Sequence, residues 1–587
     1  MTELTARAAA WRDADPDPRT RAELDGLLAS GDTAALAERF DGSLAFGTAG
    51  IRAEIGAGPM RMNRMVVGRV AAGLASYITA SDPAAATAGV VVGYDGRTNS
   101  AVFAMDAARI LSRAGVSVSM LPGPLPTPLT AFAVRHRHVA YGFMVTASHN
   151  PRQYNGIKVY VRDGGQLLPP QDEEIAAVIN AVDPLLLPAS WAEGSFEFTA
   201  ADDSVTAYVA AVAARGLPTP GDRQLKVVHT ALHGVGDGTL RAVFARAGWP
   251  APLPVAAQQY PDPAFPTAHY PNPEEPGVLD LARETAERAG ADLVLANDPD
   301  ADRLAVMVPG PGGWQALTGD DLGALLGDAV LTRLARGEPV ADPGARAPVV
   351  ATTVVSGSLL RRLADAAGVR CVTTLTGFKW VARTGGDDAL IYGYEQALGY
   401  TVRPDLVADK DGISAALLAL QLATEEARRG RTLLDRLDDL ALTHGLHVTR
   451  LRTLKADSAT GLAQLNDAVE RVRKEPPRLL AGQPVTVTDL LEDTPGIVDL
   501  AGGHPERSPG TPLPAADVLI WQAGRDARVM IRPSGTEPEL KIYAEVVRRV
   551  RSRAELAAAR ASAADQAEQM MATAAAAIES SIKGSQS

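Results

Sequence analysis

The 587-residue sequence predicts an α/β protein with mostly parallel sheets, closed by a C-terminal domain of α+β type. Three observations lead there. Short apolar runs alternate with helix-like stretches along most of the chain, the rhythm of βα units. The last segment changes to strands followed by one long Ala-rich helix. The length corresponds to about four domains at roughly 150 residues each.

The apolar runs are 89–94, 116–121, 141–145, 226–232, 293–296, 304–308 and 349–355, most too apolar for solvent-facing strands. The uncharged stretch 114–134 is long enough to span a bilayer, but prolines at 122, 124, 126 and 128 refute that and predict a strand ending in an extended loop. Composition shifts at 184–198, which carries an exposed-looking Trp191, at the Pro-rich 250–276, after Thr318, where an amphipathic helix begins, and near His444. They predict domains at 1–205, 206–317, 318–440 and 441–587. In the last of these, 518–523, 529–531 and 540–546 read as strands and 553–580 as the closing helix.

Hydrophobic residues make up 46% and charged residues 21% of the chain, as expected of folded globular domains. The net charge of −12, without a long basic run, argues against nucleic acid and anionic membranes as partners. Cys371 is the only cysteine, which excludes an intramolecular disulfide; it reads as a small core residue of a strand. An acidic residue at position 3 and no apolar h-region speak against a secretory signal, so a cytoplasmic protein is expected.

Chemistry concentrates in a few motifs. Thr146-Ala-Ser-His-Asn-Pro follows an apolar strand, where α/β enzymes place their sites; as a bare hexapeptide it is equally a plain turn. Ser148 lacks the flanking glycines of a hydrolase nucleophile elbow. In Asp298-Pro-Asp-Ala-Asp-Arg, aspartates two apart on extended backbone would project to one side, and such crowding calls for a dication, with hard oxygens favouring Mg²⁺. An EF-hand would need glycine at Arg303 and glutamate at Pro309, so a Ca²⁺ loop is rejected. Arg532-Pro-Ser-Gly-Thr-Glu-Pro offers a guanidinium, two hydroxyls and a glycine-permitted turn to a phosphate. Phe46-Gly-Thr-Ala-Gly-Ile-Arg ends in Arg52, an anion contact, while Thr376-Gly-Phe-Lys-Trp and Gly393-Tyr-Glu-Gln-Ala-Leu-Gly each follow a strand. His229 and His233 have a zinc spacing on a helix, but a strand would set them about 13 Å apart, and zinc is rejected. Neither a Walker A motif nor a dinucleotide fingerprint is present.

Taken in order, the motifs beginning at Phe46, Thr146, Asp298, Gly393 and Arg532 resemble the α-D-phosphohexomutase superfamily over nearly the whole chain. The resemblance implies four domains around a central cleft, three similar α/β domains and a C-terminal α+β domain. It implies that Ser148 is phosphorylated and that Asp298, Asp300 and Asp302 hold Mg²⁺ together with Ser148. Arg52, His149 and Lys158 would surround the reacting phosphoryl, with Lys158 moving a proton. Thr48, Arg303, Gly377, Phe378, Lys379, Glu395 and Ala397 would contact substrate, and Arg532, Ser534, Gly535 and Thr536 would grip its distant phosphate. Ala397 departs from the glucose-type loop, where a serine stands, and resembles the branch with phosphopentomutases, glucose 1,6-bisphosphate synthases and bacterial phosphoglucomutases. The expected activity is exchange of hexose 1-phosphate and 6-phosphate, glucose first and then mannose, with a sugar 1,6-bisphosphate as intermediate and activator. A phosphopentomutase, a bisphosphate synthase and an inactive phosphosugar-binding protein are the alternatives, and a monomer or homodimer is expected.

Overall fold

The structure, a computed structural model, describes residues 3–47, 50–81, 83–187, 191, 194–214, 225–338, 340, 346–384, 388–456, 459–491, 515–533 and 539–583. They form two compact units, Met1–Ala316 with Gly399–Thr424, and Leu317–Leu398 with Glu425–Ser587.

In the first unit, β1 (Ile51–Glu54), β2 (Val90–Tyr94), β3 (Val118–Pro124), β4 (Tyr141–Val145), β5 (Tyr154–Val161) and β6 (Thr199–Ala200) form a sheet in the order β1-β5-β4-β2-β3-β6. Strands β4, β2, β3 and β6 run parallel, and β5 and β1 add antiparallel neighbours. β4 is buried at all five positions, which is why its sequence is an unbroken apolar run. A second sheet, β11-β10-β9-β7-β8, is built from β7 (Val227–Thr230), β8 (Leu253–Pro254), β9 (Leu293–Ala296), β10 (Ala305–Gly310) and β11 (Gly313–Ala316).

In the second unit, β12 (Pro348–Thr353) lies between β13 (Arg370–Thr374) and β14 (Ala389–Glu395), all parallel. The helix Gly319–Ala335 of that layer starts at a capping box in which Thr318 and Asp321 satisfy each other's backbone N–H. β15 (Gly399–Thr401) belongs to the first unit, where Gly399 bridges to Arg303. The last six strands are β16 (Leu446–Lys455), β17 (Leu479–Leu480), β18 (Gln483–Asp489), β19 (Leu519–Ala523), β20 (Ala527–Pro533) and β21 (Glu539–Arg548). They make an antiparallel sheet, β16-β21-β20-β19-β18-β17. The helix Arg553–Lys583 packs on it, with Leu556, Ala567, Met570 and Ile578 meeting Trp521 and Val529 in one core. Three α/β layers and a C-terminal α+β domain are therefore present. Among the described residues, no helix is long and apolar enough to cross a membrane.

Several local expectations are corrected. The stretch expected as an extended loop contains the helix Thr127–His136, because Pro126 stands at its N-cap and Pro128 in its first turn, where no backbone donor is lost. Trp191 is buried, packed against Gly68, with the Arg64 guanidinium 5.9 Å from its ring. β7 stops at Thr230, since Leu232 and His233 take positive φ. Gly393, Tyr394 and Glu395 lie inside β14 rather than after it.

A buried polar knot ties the second unit together. The Glu545 carboxylate accepts hydrogen bonds from Arg528 Nε at 2.7 Å and Ser358 N at 2.7 Å, and lies 2.9 Å from His447 Nδ1. Arg528 Nη2 also donates to Ser356 O at 2.7 Å. Burial alone would raise the Glu545 pKa, but Arg528 and His447 reverse this and hold it well below the usual range. The stabilisation is thus complete above the ordinary glutamate range and is lost as pH falls below it. Glu545→Gln leaves Arg528 without its anion, and a loss of about 3 kcal/mol is expected as a lower urea midpoint for the second unit, shrinking toward acidic pH.

Candidate active site

The serine turn and the carboxylate turn come together in the first unit. β4 ends at Val145, and Thr146 Oγ1 accepts the Ser148 backbone N–H at 2.8 Å. Ser148 has φ +52°, a left-handed conformation uncommon for a side-chain-bearing residue, and is 1% exposed. Its Oγ donates to Asp298 Oδ2 at 3.1 Å and lies 3.2 Å from His149 Nδ1. The register of β4 with β5 sets Met144 opposite Lys158, and that of β1 with β5 sets Arg52 opposite Gly156. Both cations are thereby brought to the serine turn, where Arg52 Nη1 donates to Asn150 Oδ1 at 3.3 Å. Gly50 enters β1 at φ +87°, and a Cβ there would stand 1.9 Å from Ile157 O, so no other residue fits.

Asp298, Asp300 and Asp302 do converge, with candidate ligand oxygens within 4.8 Å of one another and all three side chains buried. The cause differs from the expected extended alternation: the backbone folds into a turn, with Ala301 at φ +54°. Asp300 Oδ2 accepts from Thr127 Oγ1 at 2.7 Å, Lys158 Nζ at 2.9 Å and Thr146 Oγ1 at 3.2 Å. Asp302 Oδ2 accepts from Lys158 Nζ at 2.7 Å and faces Lys410 Nζ at 3.2 Å. Arg303 Nε lies 3.8 Å from Asp302 Oδ1 and 4.0 Å from Asp298 Oδ2.

Burial and the two neighbouring carboxylates push Asp298 well above the usual range. Burial acts the same way on Asp300 and Asp302, but Lys158, joined at Asp302 by Lys410 and Arg303, holds both below it. Lys158 is raised, because the two carboxylates outweigh its burial. Asp300 Oδ1 and Asp302 Oδ1 are buried without a hydrogen-bond partner among the described residues. Two orphaned oxygens within a cluster of three carboxylates suit a hard divalent cation, which would satisfy both and relieve the crowding.

Lys410, Thr127 and Arg97, which is bonded to the serine turn, were not anticipated from sequence. Thr127 lies in a Pro-rich stretch whose sequence predicts a loop and which forms a helix instead. A signal for Lys410 existed in Asp409-Lys-Asp-Gly, a cation between carboxylates just ahead of an apolar helix.

Apart from Thr48, the remaining candidates belong to the second unit. Gly377 has φ +114°, opening the turn ahead of Phe378, whose ring sits in the core with Val349 and Val381. Lys379 Nζ lies 5.1 Å from the Trp380 ring centroid. Glu395 is 8% exposed at the end of β14, and Ala397 is half-buried in the turn that follows. Gln396 in that turn accepts from Ser356 Oγ at 3.1 Å. Arg532 is half-buried on β20, opposite Lys541. Thr48, Ser534, Gly535 and Thr536 lie outside the described residues.

Comparison with known proteins settles the family. Residues 43–185, 206–312 and 318–441 match the phosphoglucomutase/phosphomannomutase α/β/α domains I, II and III, and 522–565 match the C-terminal domain. The chain belongs to the phosphoglucomutase/phosphomannomutase family. It is a phosphomutase, an isomerase that moves phosphate within its substrate. A probable phosphomannomutase of Haemophilus influenzae is 37% identical over 82% of this chain and 93% of its own. Mouse phosphopentomutase is 31% identical over 92% of this chain and 90% of its own. A Staphylococcus epidermidis phosphoglucomutase is 32% identical over 86% and 91%.

Proposed function

We propose that this phosphomutase interconverts hexose 1-phosphate and hexose 6-phosphate, with glucose the preferred sugar and mannose accepted, through a phosphoserine at Ser148. The observation that carries the reading is the Ser148 hydroxyl, 3.1 Å from Asp298 Oδ2 within the buried carboxylate cluster. Phosphoryl transfer asks mainly for positioning and charge neutralisation. Arg52, His149, Lys158 and Arg303 supply donors and positive charge around the serine turn. Mg²⁺ held by Asp298, Asp300 and Asp302 would neutralise charge on the phosphoryl oxygens. Lys158, positioned by Asp300 and Asp302, is assigned the proton transfer to and from the reacting hydroxyl.

The sequence of events is a double exchange. Phosphoserine passes its phosphoryl to the free hydroxyl of the sugar monophosphate, and the hydroxyl proton leaves as the new P–O bond forms. The bisphosphate then presents its other phosphate, which returns to Ser148. A sugar 1,6-bisphosphate therefore primes an unphosphorylated chain. Lys379 and Glu395 are assigned to the sugar, with Gly377, Phe378 through its backbone, Ala397 and Thr48 lining its binding site. Arg532, Ser534, Gly535 and Thr536 are assigned to the phosphate that does not react. The segments 1–205, 206–317, 318–440 and 441–587 are the four domains of this reading, and the protein would work in the cytoplasm as a monomer or homodimer.

A pentose substrate is the second reading, favoured by Ala397, which offers no hydroxyl to the sugar, and by the similarity to a phosphopentomutase. Comparing kcat/KM on glucose 1-phosphate, mannose 1-phosphate and ribose 1-phosphate decides between them. The hexose reading expects glucose to exceed ribose by at least about tenfold, since even one net hydrogen bond to the sugar, about 1 kcal/mol, approaches that factor. A preference for ribose overturns it.

A further inference from the structure

We propose that Arg97 is the positioning residue of the phosphoserine turn, its guanidinium holding the backbone from the nucleophile's own carbonyl onward. Arg97 Nη2 donates to Ser148 O and to Asn150 O, each at 2.5 Å. Nη1 donates to Pro151 O at 2.9 Å and Tyr154 O at 3.2 Å. One side chain thus engages four carbonyls, from the turn, the residues after it and the first residue of β5. Arg97 is itself fixed. It is 4% exposed, its Nε lies 3.4 Å from Asp95 Oδ2, and its backbone N–H donates to Asp95 Oδ1 at 3.0 Å. Ser100 Oγ donates to the same oxygen at 2.6 Å, and the Phe265 ring stands 5.0 Å from the guanidinium.

The arrangement answers a need of this turn. Ser148 has φ +52°, a conformation its side chain disfavours and one that persists only when the surroundings over-determine it. Bonds to the carbonyls of Ser148 and Asn150 supply that constraint and keep Oγ aimed at the carboxylate cluster. A forked guanidinium has donors enough for four acceptors; a lysine ammonium at that depth has three donors and no fork. The positive charge also sits directly behind a serine that is to carry a dianion. Its contacts are with backbone carbonyls, and its effect passes through the backbone of Ser148.

The inference rests on Ser148 as the phosphoryl carrier, and the test separates the two claims. Wild type, Arg97→Lys and the double variant Asp95→Asn/Arg97→Met, which removes both buried charges together, are mixed with glucose 1,6-bisphosphate labelled in its phosphates. In the transfer, Ser148 Oγ bonds to phosphorus, the P–O bond to the sugar breaks, and the serine proton ends on the sugar oxygen. The rate of labelling at Ser148 is expected to fall about 100-fold in both variants, the effect of misplacing a reacting atom by about 1 Å. KM for glucose 1-phosphate should change less than about threefold, and unfolding should remain cooperative. Labelling at wild-type rate in either folded variant overturns the positioning role while leaving the serine reading intact. Absence of label from Ser148 in wild type overturns both.

Discussion

Ser148→Ala is expected to lower mutase turnover by about 10⁴-fold or more, with little effect on folding. The loss is that large because the hydroxyl is the atom proposed to carry the phosphoryl, and removal of a nucleophile leaves no covalent route. The hydroxyl of Thr146 in the same turn is already engaged: its Oγ1 accepts the Ser148 N–H at 2.8 Å and donates to Asp300 at 3.2 Å. Stability should be nearly unchanged, since the substitution removes one neutral hydroxyl facing His149 and Asp298 and the backbone bonds of the turn remain. Steady-state turnover together with a thermal melt checks both halves. A variant that keeps wild-type turnover would remove the phosphoserine from the mechanism.

Asp298→Asn carries the second large effect, and its two consequences have opposite signs. Without a metal, three buried carboxylates crowd one turn, and burial plus its two neighbours pushes Asp298 well above the usual range. Asparagine relieves that crowding at nearly the same volume, so the metal-free protein should be as stable as wild type or more so. With metal, the variant has lost one anionic ligand of three. Mn²⁺ binding followed by electron paramagnetic resonance should weaken at least about 100-fold, and turnover at fixed Mg²⁺ should fall about 10³-fold, the scale of metal stabilisation of a transferring phosphoryl group. A structural role alone would lower the melting temperature and leave Mn²⁺ affinity in place.

The sequence was most legible where both faces of a strand are buried. β4 and β9 match their predicted bounds to the residue, because a fully buried strand shows as an apolar run bounded by polar turns. β5 was missed: Asn155, Gly156 and Lys158 interrupt its apolar pattern, and only pairing with both β4 and β1 holds it in the sheet. The helix Thr127–His136 does not show in the sequence because proline acts as a breaker only inside a helix, and here Pro126 and Pro128 stand at its start. The aspartate cluster was read correctly as a cluster but for the wrong geometric reason, a turn having replaced the extended strand. Arg97 and Lys410 show a different limit. Arg97 is 51 residues from Ser148 in sequence, and Lys410 reaches Asp302 from a segment that follows β14. The sequence marks Lys410 as a cation between carboxylates but not which distant carboxylate it meets, and for Arg97 it carries no such mark; these contacts arise when distant segments are brought together by the register of the strands.

The central claim is that Ser148 carries the phosphoryl group between the two positions of the sugar. The most direct test is peptide-level mass spectrometry of the chain after incubation with glucose 1,6-bisphosphate and Mg²⁺, followed by a chase with glucose 1-phosphate. The account predicts one phosphate on the peptide containing Ser148, assigned to that serine and lost in the chase as bisphosphate appears. Phosphate on another residue, or none on a chain that still turns over, would contradict it.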